Sequence, residues 1–399
     1  MLRNTMHRQV LLLSSAQALF QTASVLVMTV GGLAGSQIAP DPEFATAPIA
    51  AMFLGTALAT VPASMWMERA GRRIGFVAGA SFGTLGGLIA ALGVFTGSLL
   101  LLCLGTMLVG AYQGFAQFYR FAASEVSDEA FRPRAISFVL AGGIVAALLG
   151  PALGRLGGPL LTPEYAGSFL LLAVVSLIAA GLLLGVRVPQ PQVYNGEPKG
   201  RPILQIVRQP TYLVALFGAA TGYSIMILAM TATPIAMVHH HHNLSDAALV
   251  IQFHVLGMFL PSFFTGSLIA RFGVLRIMFA GVGLFAGHVL LSLSGTGFPS
   301  FASALVFLGV GWNFLYIGGT TLLTQTYIPA ERGRAQATND MTIFAVGLLS
   351  SLGAGILLQF FGWQTMNVLL LPWLGLAALS ILWLTWHRRS TVAAPSSPV

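Results

Sequence analysis

Long apolar segments alternate with short polar ones along the whole chain, and this pattern predicts membrane-spanning helices. A helix needs about 20 consecutive apolar residues to cross the hydrocarbon core of a bilayer. Twelve segments meet this requirement, at residues 9–34, 46–66, 74–95, 98–120, 135–157, 166–187, 211–238, 246–270, 274–294, 299–326, 336–360 and 364–386. The sequence therefore predicts an all-α polytopic membrane protein with twelve transmembrane helices.

The longest polar interruption, RVPQPQVYNGEPKGRPILQIVRQP, separates the sixth span from the seventh. Its proline and glycine content is typical of a linker. We therefore predict a six-helix bundle over residues 1–187, a cytoplasmic linker over 188–210, and a second six-helix bundle with a short cytoplasmic tail over 211–399. A short surface helix is expected at Ile203–Val207, within the linker.

The composition makes lipid the first partner of this chain. Hydrophobic residues make up 56% of it and charged residues 8%, whereas about 25% of residues are charged in a soluble domain. The single cysteine, Cys103, excludes an intrachain disulfide. The sequence contains no Walker-type phosphate loop, HExxH zinc motif or nucleophile triad, so it predicts neither an enzyme nor a prosthetic group.

The positive charges indicate how the chain lies in the membrane. A net charge of +8 can indicate a nucleic-acid partner, but here the basic residues lie in short loops between apolar spans. If the N-terminus is cytoplasmic, all of the 19 basic residues except Arg155 fall on the cytoplasmic side. Cytoplasmic loops of membrane proteins carry such an excess. The sequence predicts a multi-pass protein of the bacterial inner (plasma) membrane with both termini in the cytoplasm, and no nucleic-acid partner.

The two halves of the chain repeat each other. An Arg-x-Gly element follows span 2 at Arg69 and recurs after span 8 at Arg271, 202 positions later. An Arg-Ala pair opens span 5 at Arg134 and recurs at Arg334, 200 positions later. A near-constant offset of this kind is typical of transporters built from two similar bundles.

The loop Glu68-Arg69-Ala70-Gly71-Arg72-Arg73 resembles the loop signature of the major facilitator superfamily, with Glu68 where that family usually has Asp. Gly150-Pro151-x-x-Gly154 resembles the core of the family's span-5 motif. The resemblance covers the whole chain and implies two pseudo-symmetric six-helix bundles that work by alternating access. It also implies that Glu68, Arg69, Arg72 and Arg73 form a conformational latch; the alternative is that they are only topology signals.

In that superfamily, spans 1, 4, 7 and 10 line the substrate path. Polar side chains inside a membrane are costly unless they are paired, and they often mark pathways. The candidate cavity residues in spans 1, 4 and 10 are Gln17, Gln21, Tyr112, Gln113, Gln117, Trp312, Asn313 and Tyr316. The alternative is that these side chains hydrogen-bond one helix to another.

Two pairs of residues spaced by four are candidate metal ligands. Met226 and Met230 lie in span 7, and His254 and Met258 lie in span 8. A spacing of four puts both members of a pair on one helix face, and Met237 extends the first stripe. Thioethers and imidazole are soft ligands that suit Cu(I). The alternative is core packing, because methionine fills apolar gaps well.

This MxxxM and HxxxM combination resembles the signature of CcoA-like copper importers, a branch of the same superfamily. The resemblance implies copper as the transported ligand, Met226, Met230, His254 and Met258 as its relay, and a copper chaperone as a candidate partner. Members of that branch also carry functionally relevant cysteines, whereas this chain has only Cys103. Two alternatives stay open: transport of a small organic solute, as in the sister group that resembles riboflavin importers, and a copper receptor that does not transport.

The loop between spans 7 and 8 holds four consecutive histidines, His239, His240, His241 and His242. They are candidates for collecting metal at the outer entrance; the alternative is a solvated loop. Ser245 or Asp246 is expected to cap span 8. Asp340 is the only acidic residue well inside a predicted span, which makes it the candidate for proton coupling.

Overall fold

The computed structural model describes residues 2–128, 131–188, 200–328 and 331–393. Within these ranges the chain folds into α-helices and two short 3-10 helices, without a β-strand. The helices of the first half are α1 (Leu2–Ile38), α2 (Ala47–Ala70), α3 (Arg72–Phe95), α4 (Leu99–Ala116), α5 (Tyr119–Glu125), α6 (Arg132–Leu140), α7 (Gly142–Gly157) and α8 (Ala166–Leu183). The linker and the second half contain α9 (Ile203–Val207), α10 (Pro210–His239), α11 (Leu244–Phe259), α12 (Ser262–Phe272), α13 (Val274–Leu293), α14 (Phe298–Leu323), α15 (Arg332–Val368) and α16 (Leu371–Ala393).

The apolar helices account for twelve membrane crossings among the described residues. Ten helices are long and apolar enough to span a membrane, and the bent pair α11–α12 makes an eleventh. The last of the ten, Arg334–Arg389, has 56 residues. At about 1.5 Å per residue it is more than twice as long as a bilayer core of about 30 Å is thick. Gly362 breaks it with φ 72° and ψ 174°, so it supplies both span 11 and span 12.

Span 8 is broken where the sequence pattern predicts one continuous helix. Its two pieces, α11 and α12, meet at an angle of 42°. Pro261 lies at the break. Proline interrupts a helix because it lacks an N–H and because its ring clashes with the preceding turn. Span 5 is likewise divided at Ala141, between α6 and α7, and span 4 continues into the separate helix α5.

The linker is tied to the second bundle. Residues 189–199 of the predicted linker lie outside the described part, but α9 begins and ends at the residues expected from the sequence. Arg201, just before α9, pairs with Glu331, whose side chain is fully buried, at 2.7 Å. The hydrogen bonds from Arg201 lower the pKa of Glu331 to about 2. The carboxylate therefore stays ionised at any physiological pH.

The ends of the two bundles differ in charge. We call the end that holds Arg72 and Arg201 the basic end, and the end where α1 finishes at Ile38 the opposite end. The two bundles touch at the opposite end, where a Cβ added to Gly32 would lie 3.1 Å from Ile235 and one added to Gly355 would lie 2.8 Å from Thr46. Farther from that end, Gly143 of α7 packs against the ring of Phe259 of α11. The interface is therefore closed at the opposite end.

Candidate solute and metal sites between the bundles

Four aromatic side chains of the second bundle form a continuous wall. Trp312 and Tyr316 are four residues apart on α14, so they lie on one face, and their rings stack at 4.8 Å with an interplanar angle of 11°. Tyr223 of α10 lies 6.1 Å from Tyr316, and Phe259 of α11 lies 6.1 Å from Trp312. We call Tyr223, Phe259, Trp312 and Tyr316 the aromatic wall.

The aromatic wall faces the first bundle. At one end the Tyr223 ring meets Phe53 of α2 edge-on, at 6.2 Å. At the other end the Phe259 ring packs against Gly143 of α7, where an added Cβ would be only 2.8 Å away. Trp312 is 7% exposed, and its indole Nε1 has no hydrogen-bond partner among the described residues. A stacking surface with an unused donor is thus present at the boundary between the halves.

In the first bundle, α1 carries two amide side chains, Gln17 and Gln21. Gln21 lies eleven residues before Gly32, so the two share nearly one side of the helix, and Gly32 meets Ile235 of the second bundle. The Oε1 atom of Gln21 is buried and accepts no hydrogen bond from the described residues. Gln17, one turn earlier, is 8% exposed and borders Gly142. We call Gln17 and Gln21 the amide wall.

The three candidates in span 4 differ in their surroundings. Gln113 is buried, and its Oε1 accepts a hydrogen bond of 3.3 Å from Thr56. Tyr112 lies inside the first bundle, where its ring meets Phe20 edge-on at 5.2 Å, so it does not border the interface. Gln117 is half-buried at the end of α4. Of the three, Gln117 has the side chain least committed to packing.

Asn313, predicted to line the cavity, instead stabilises the break in span 8. Its Nδ2 donates to the carbonyl of Met258 and to Ser262 Oγ, both at 2.7 Å, and its Oδ1 accepts from Thr265 at 2.6 Å. The side chain is fully buried. The kink next to Pro261 leaves polar groups that need partners, and the Asn313 amide supplies them. Its hydrogen-bonding capacity is used within the bundle.

Four of the predicted metal ligands, Met226, Met230, His254 and Met258, are buried at a similar depth in the second bundle. Met226, Met230 and Met258 are at most 8% exposed, and Met237 is inaccessible. Gly222 of α10 packs against Leu315 of α14. With α10 and α14 antiparallel, this contact puts Met226 level with Trp312 and Met230 level with Leu308. On another face of α14, Gly309 packs against the backbone of His254 and Met258. The thioethers and the imidazole therefore flank the same two turns of α14, and none of these side chains faces lipid.

One ring nitrogen of His254 is free to accept a hydrogen bond or to bind a metal ion. The side chain is fully buried, and Nδ1 lies 2.9 Å from the carbonyl oxygen of Leu305. That contact requires a proton on Nδ1 and leaves Nε2 as the acceptor or metal-binding atom. Nε2 has no hydrogen-bond partner among the described residues. A buried imidazole nitrogen without a partner is costly, and a metal ion or a donor group of a solute would satisfy it.

The four loop histidines do not converge. His242 contacts the carbonyl of Thr296 at 2.8 Å and lies 3.9 Å from Asp246, while His241 adopts a left-handed conformation with φ 64°. The described residues contain no group of three or more His, Cys, Asp or Glu side chains arranged for a metal ion. Partial burial and the neighbouring histidines lower the pKa of His240, which favours the neutral imidazole that binds metals.

The cap of span 8 differs from the expectation. Asn243, not Ser245 or Asp246, is the N-cap, and its side chain accepts from the Asp246 N–H at 2.9 Å. The reason is that α11 begins at Leu244, two residues before the predicted start of the span. Asp246 remains in the first turn, where its charge complements the positive end of the helix dipole.

Only part of the predicted latch can be described. Arg72 forms an ion pair with Glu125 at 2.7 Å, and its guanidinium lies over the Phe118 ring at 5.4 Å. Arg69 and Arg73 are exposed, and the Glu68 side chain lies outside the described part. The pair that is present joins the start of α3 to the end of α5, within the first bundle.

Sequence reasoning missed several residues at the interface. Tyr223, Phe259 and Phe53 were not selected, although the hydroxyl of Tyr223 in the apolar span 7 is a signal that could have identified it. Arg120, at the basic end of the first bundle, interacts electrostatically with Asp340 of the second without an ion pair between them, and its buried Nε has no hydrogen-bond partner among the described residues. The two groups therefore oppose each other across the interface.

Comparisons with known proteins agree with this architecture. The sequence matches the Major Facilitator Superfamily over residues 11–260 and 216–398. It is 41% identical over 380 residues to the riboflavin transporter RfnT of Brucella anthropi, with 94% of this chain and 95% of that protein covered. It is 30% identical over 362 residues to the uncharacterized MFS-type transporter YddS of Bacillus subtilis, with 86% of this chain and 82% of that protein covered.

Solved structures share the fold at low identity. The D-xylose-proton symporter superposes with a TM-score of 0.73 at 14% identity, covering 94% of this chain and 96% of that one. A point mutant of the nucleoside transporter NupG superposes with a TM-score of 0.70 at 14% identity, covering 93% of this chain and 99% of that one. By its sequence and its fold, the chain belongs to the major facilitator superfamily and is a multi-pass membrane transporter.

Proposed function

We propose that this transporter carries a planar aromatic organic solute of the riboflavin type, by alternating access between its two bundles. The observation that carries the proposal is the stacked Trp312–Tyr316 pair, which presents an aromatic surface to the first bundle. The similarity to the Brucella riboflavin transporter over nearly the full length of both chains points the same way.

The two walls suit the two kinds of surface on such a solute. A fused heteroaromatic ring has an apolar face that stacks on indole and phenol rings, and stacking of a nucleic-acid base on an aromatic side chain is worth about 1–3 kcal/mol. Its rim carries carbonyl and N–H groups, which the amides of Gln17 and Gln21 can bind. The unpartnered Trp312 Nε1 and Gln21 Oε1 supply one donor and one acceptor.

We further propose that the basic end faces the cytoplasm of a bacterial cell, as the distribution of arginines favours. Both termini then lie in the cytoplasm, and the closed opposite end faces outward. Asp340 and Arg120 oppose each other at the basic end, so closure there would bring a carboxylate and a guanidinium together. We propose this pair as the charged contact of the alternate state.

The test is uptake of radiolabelled riboflavin by bacteria that cannot make or import it, expressing the wild-type chain, W312A or W386A. Trp386 is 71% exposed, so W386A is a matched control that removes an indole outside the aromatic wall. Uptake by the wild type and W386A, with loss in W312A, is expected. Uptake by the wild type no greater than in cells without the protein would overturn the proposal.

Copper is a second candidate, favoured by one specific observation. His254 Nε2 is a buried imidazole nitrogen without a partner among the described residues, and the Met226, Met230 and Met258 thioethers share its depth. Soft ligands of these types suit Cu(I). A copper chaperone would be a partner only in this case. Under this proposal the histidines 239–242 remain candidates for collecting the ion at the entrance.

The same cells discriminate the candidates. Radioactive copper that accumulates with the wild type, but not with an M230A/H254A double variant, would support copper transport. Copper that binds to the purified protein without accumulating in cells would indicate a receptor. Equal copper uptake in the wild type and the double variant would exclude Met230 and His254 as a copper relay. This conclusion would hold regardless of the outcome of the riboflavin uptake experiment.

A further inference from the structure

A basic cavity lies at the basic end of the first bundle, away from the aromatic and amide walls. Its volume is about 180 Å³, and it is lined by Arg8, Gln9, Arg73, Leu184, Gly185 and Arg187. The three arginines come from separate parts of the chain: the start of α1, the start of α3 and the segment after α8. The fold therefore brings three guanidinium groups to one concave site.

These arginines differ from their neighbours in having no carboxylate partner among the described residues. Arg72, next to Arg73, pairs with Glu125, and Arg201 pairs with Glu331. Among the side chains that the structure describes, no Asp or Glu lies within ion-pair distance of Arg8, Arg73 or Arg187. Like charges that share a cavity repel one another, and an anion bound between them would relieve that repulsion.

The cavity is held together by a buried polar side chain. Gln9 is 5% exposed. Its Oε1 accepts from the backbone N–H of Arg187 at 2.7 Å, and its Nε2 donates to the carbonyl of Gly185 at 3.4 Å. Both hydrogen bonds fix the segment after α8 against α1. They place Arg187 beside Arg8 by backbone geometry, so the convergence does not depend on flexible side chains alone.

We propose that this cavity binds the phosphate of an anionic membrane phospholipid. Guanidinium groups bind phosphate oxygens with paired, charge-assisted hydrogen bonds. Basic pockets between helices near the membrane surface bind lipid head groups. Leu184 lines the cavity and is 55% exposed, and Leu11, one turn after Arg8, is 67% exposed. Exposed apolar side chains therefore adjoin the arginines, which favours a phosphate that carries acyl chains over a free anion.

The bound head group would link three elements of the first bundle at the point where the chain leaves it. Arg187 precedes the linker, and the far end of the linker is held on the second bundle by Arg201 and Glu331. An occupied cavity would thus anchor the near end of the linker as that ion pair anchors the far end.

The experiment uses the full chain, purified in detergent and stripped of lipid. Native mass spectrometry would count bound phosphatidylglycerol and phosphatidylcholine of equal acyl length, and thermal unfolding would be followed with each lipid, with glycerol 3-phosphate and with inorganic phosphate. The variant is R73Q/R187Q. The matched control, R208Q/R276Q, removes two exposed arginines of the basic end that lie outside the cavity.

The wild type and R208Q/R276Q should prefer phosphatidylglycerol, and R73Q/R187Q should lose about tenfold or more of that preference. The single variant R187Q provides the same readout if the double variant is unstable. Equal preference in both double variants would overturn the proposal. Stabilisation by inorganic phosphate equal to that by phosphatidylglycerol, again lost in R73Q/R187Q, would leave an anion site but overturn the lipid as its occupant.

Discussion

The aromatic wall and the amide wall are built differently. The aromatic wall of the second bundle is a run of rings in mutual contact, with the Trp312–Tyr316 pair stacked at 4.8 Å. The amide wall of the first bundle consists of the single stripe that carries Gln17 and Gln21 on α1, with the Gln21 carbonyl oxygen left without a donor among the described residues. The aromatic wall offers surface area for stacking, and the amide wall offers hydrogen-bonding groups.

The two halves would contribute differently to the recognition of a solute. Stacking is tolerant of the exact ring, because every flat aromatic molecule has a π-face. Hydrogen bonds discriminate more sharply, because a solute that cannot satisfy a buried polar group leaves it unpaired. We therefore expect the second bundle to supply most of the affinity and the first bundle most of the selectivity.

Truncating the aromatic wall should weaken riboflavin binding more than any other change. W312A should weaken riboflavin binding by about tenfold to a hundredfold, the loss expected when an aromatic stacking partner is removed. W312F keeps a ring but loses the Nε1 donor, so it should retain most of the affinity. Isothermal titration of the purified variants measures both. Equal losses in W312A and W312F would assign the effect to the donor and not to stacking.

The next effect comes from the amide wall. Q21L removes an acceptor that has no partner within the described part of the protein, so the fold should keep its stability while riboflavin binding weakens by about fivefold, the worth of one hydrogen bond. Q205L, on the exposed surface of α9, is the matched control. If Q21L lowers the unfolding temperature and leaves binding unchanged, Gln21 is a packing residue and the amide wall is not a recognition surface.

A third comparison uses the two buried histidines behind the aromatic wall. They contact adjacent carbonyls of α14: His254 Nδ1 meets Leu305, and His288 Nδ1 meets Ala304. His288 Nε2 also contacts Asn367 Oδ1 at 2.8 Å, whereas His254 Nε2 has no partner among the described residues. H288A breaks two contacts, so it should lower the unfolding temperature by more than H254A, by several degrees. A larger loss in H254A would mean that His254 is the structural residue of the two.

The smallest expected change concerns the pH dependence of stability, and it comes from the linker, away from both walls. Because Arg201 depresses the pKa of Glu331 from 4.5 to about 2, this pair stabilises the fold fully above pH 4.5 and loses that contribution as the pH falls toward 2. In thermal unfolding between pH 6 and pH 3, E331Q should lose less stability than the wild type, while riboflavin binding at neutral pH stays unchanged. Parallel pH profiles for the two proteins would contradict this.

The sequence carried enough information for the fold and for part of the site. The lengths of the apolar segments predicted the membrane crossings, and the choice of Trp312 and Tyr316 as cavity candidates selected the two rings that stack in the structure. The roles of other residues depended on contacts between distant segments. Asn313 has the same sequence signature as a cavity residue, a polar group in an apolar span, but the kink at Pro261 uses its hydrogen bonds.

Tertiary contacts also determine which residues of a span border the interface between the bundles, and residue spacing alone does not. Tyr112 is in span 4 with Gln113 and Gln117, yet its ring points into the first bundle, toward Phe20. Phe259 carries no polar atom and so gave no signal, although it completes the aromatic wall. In both cases the sequence identifies the helix on which a residue lies, whereas the segment that its side chain contacts follows only from tertiary packing.

The most direct test of the central claim is a titration of riboflavin with the purified transporter, followed by the fluorescence of the flavin ring, which stacking against indole or phenol quenches. Saturable quenching by the wild type and W386A, lost in W312A and unaffected by M230A/H254A, is the predicted result. Absence of saturable quenching by the wild type, or undiminished quenching by W312A, would mean that the aromatic wall does not bind riboflavin.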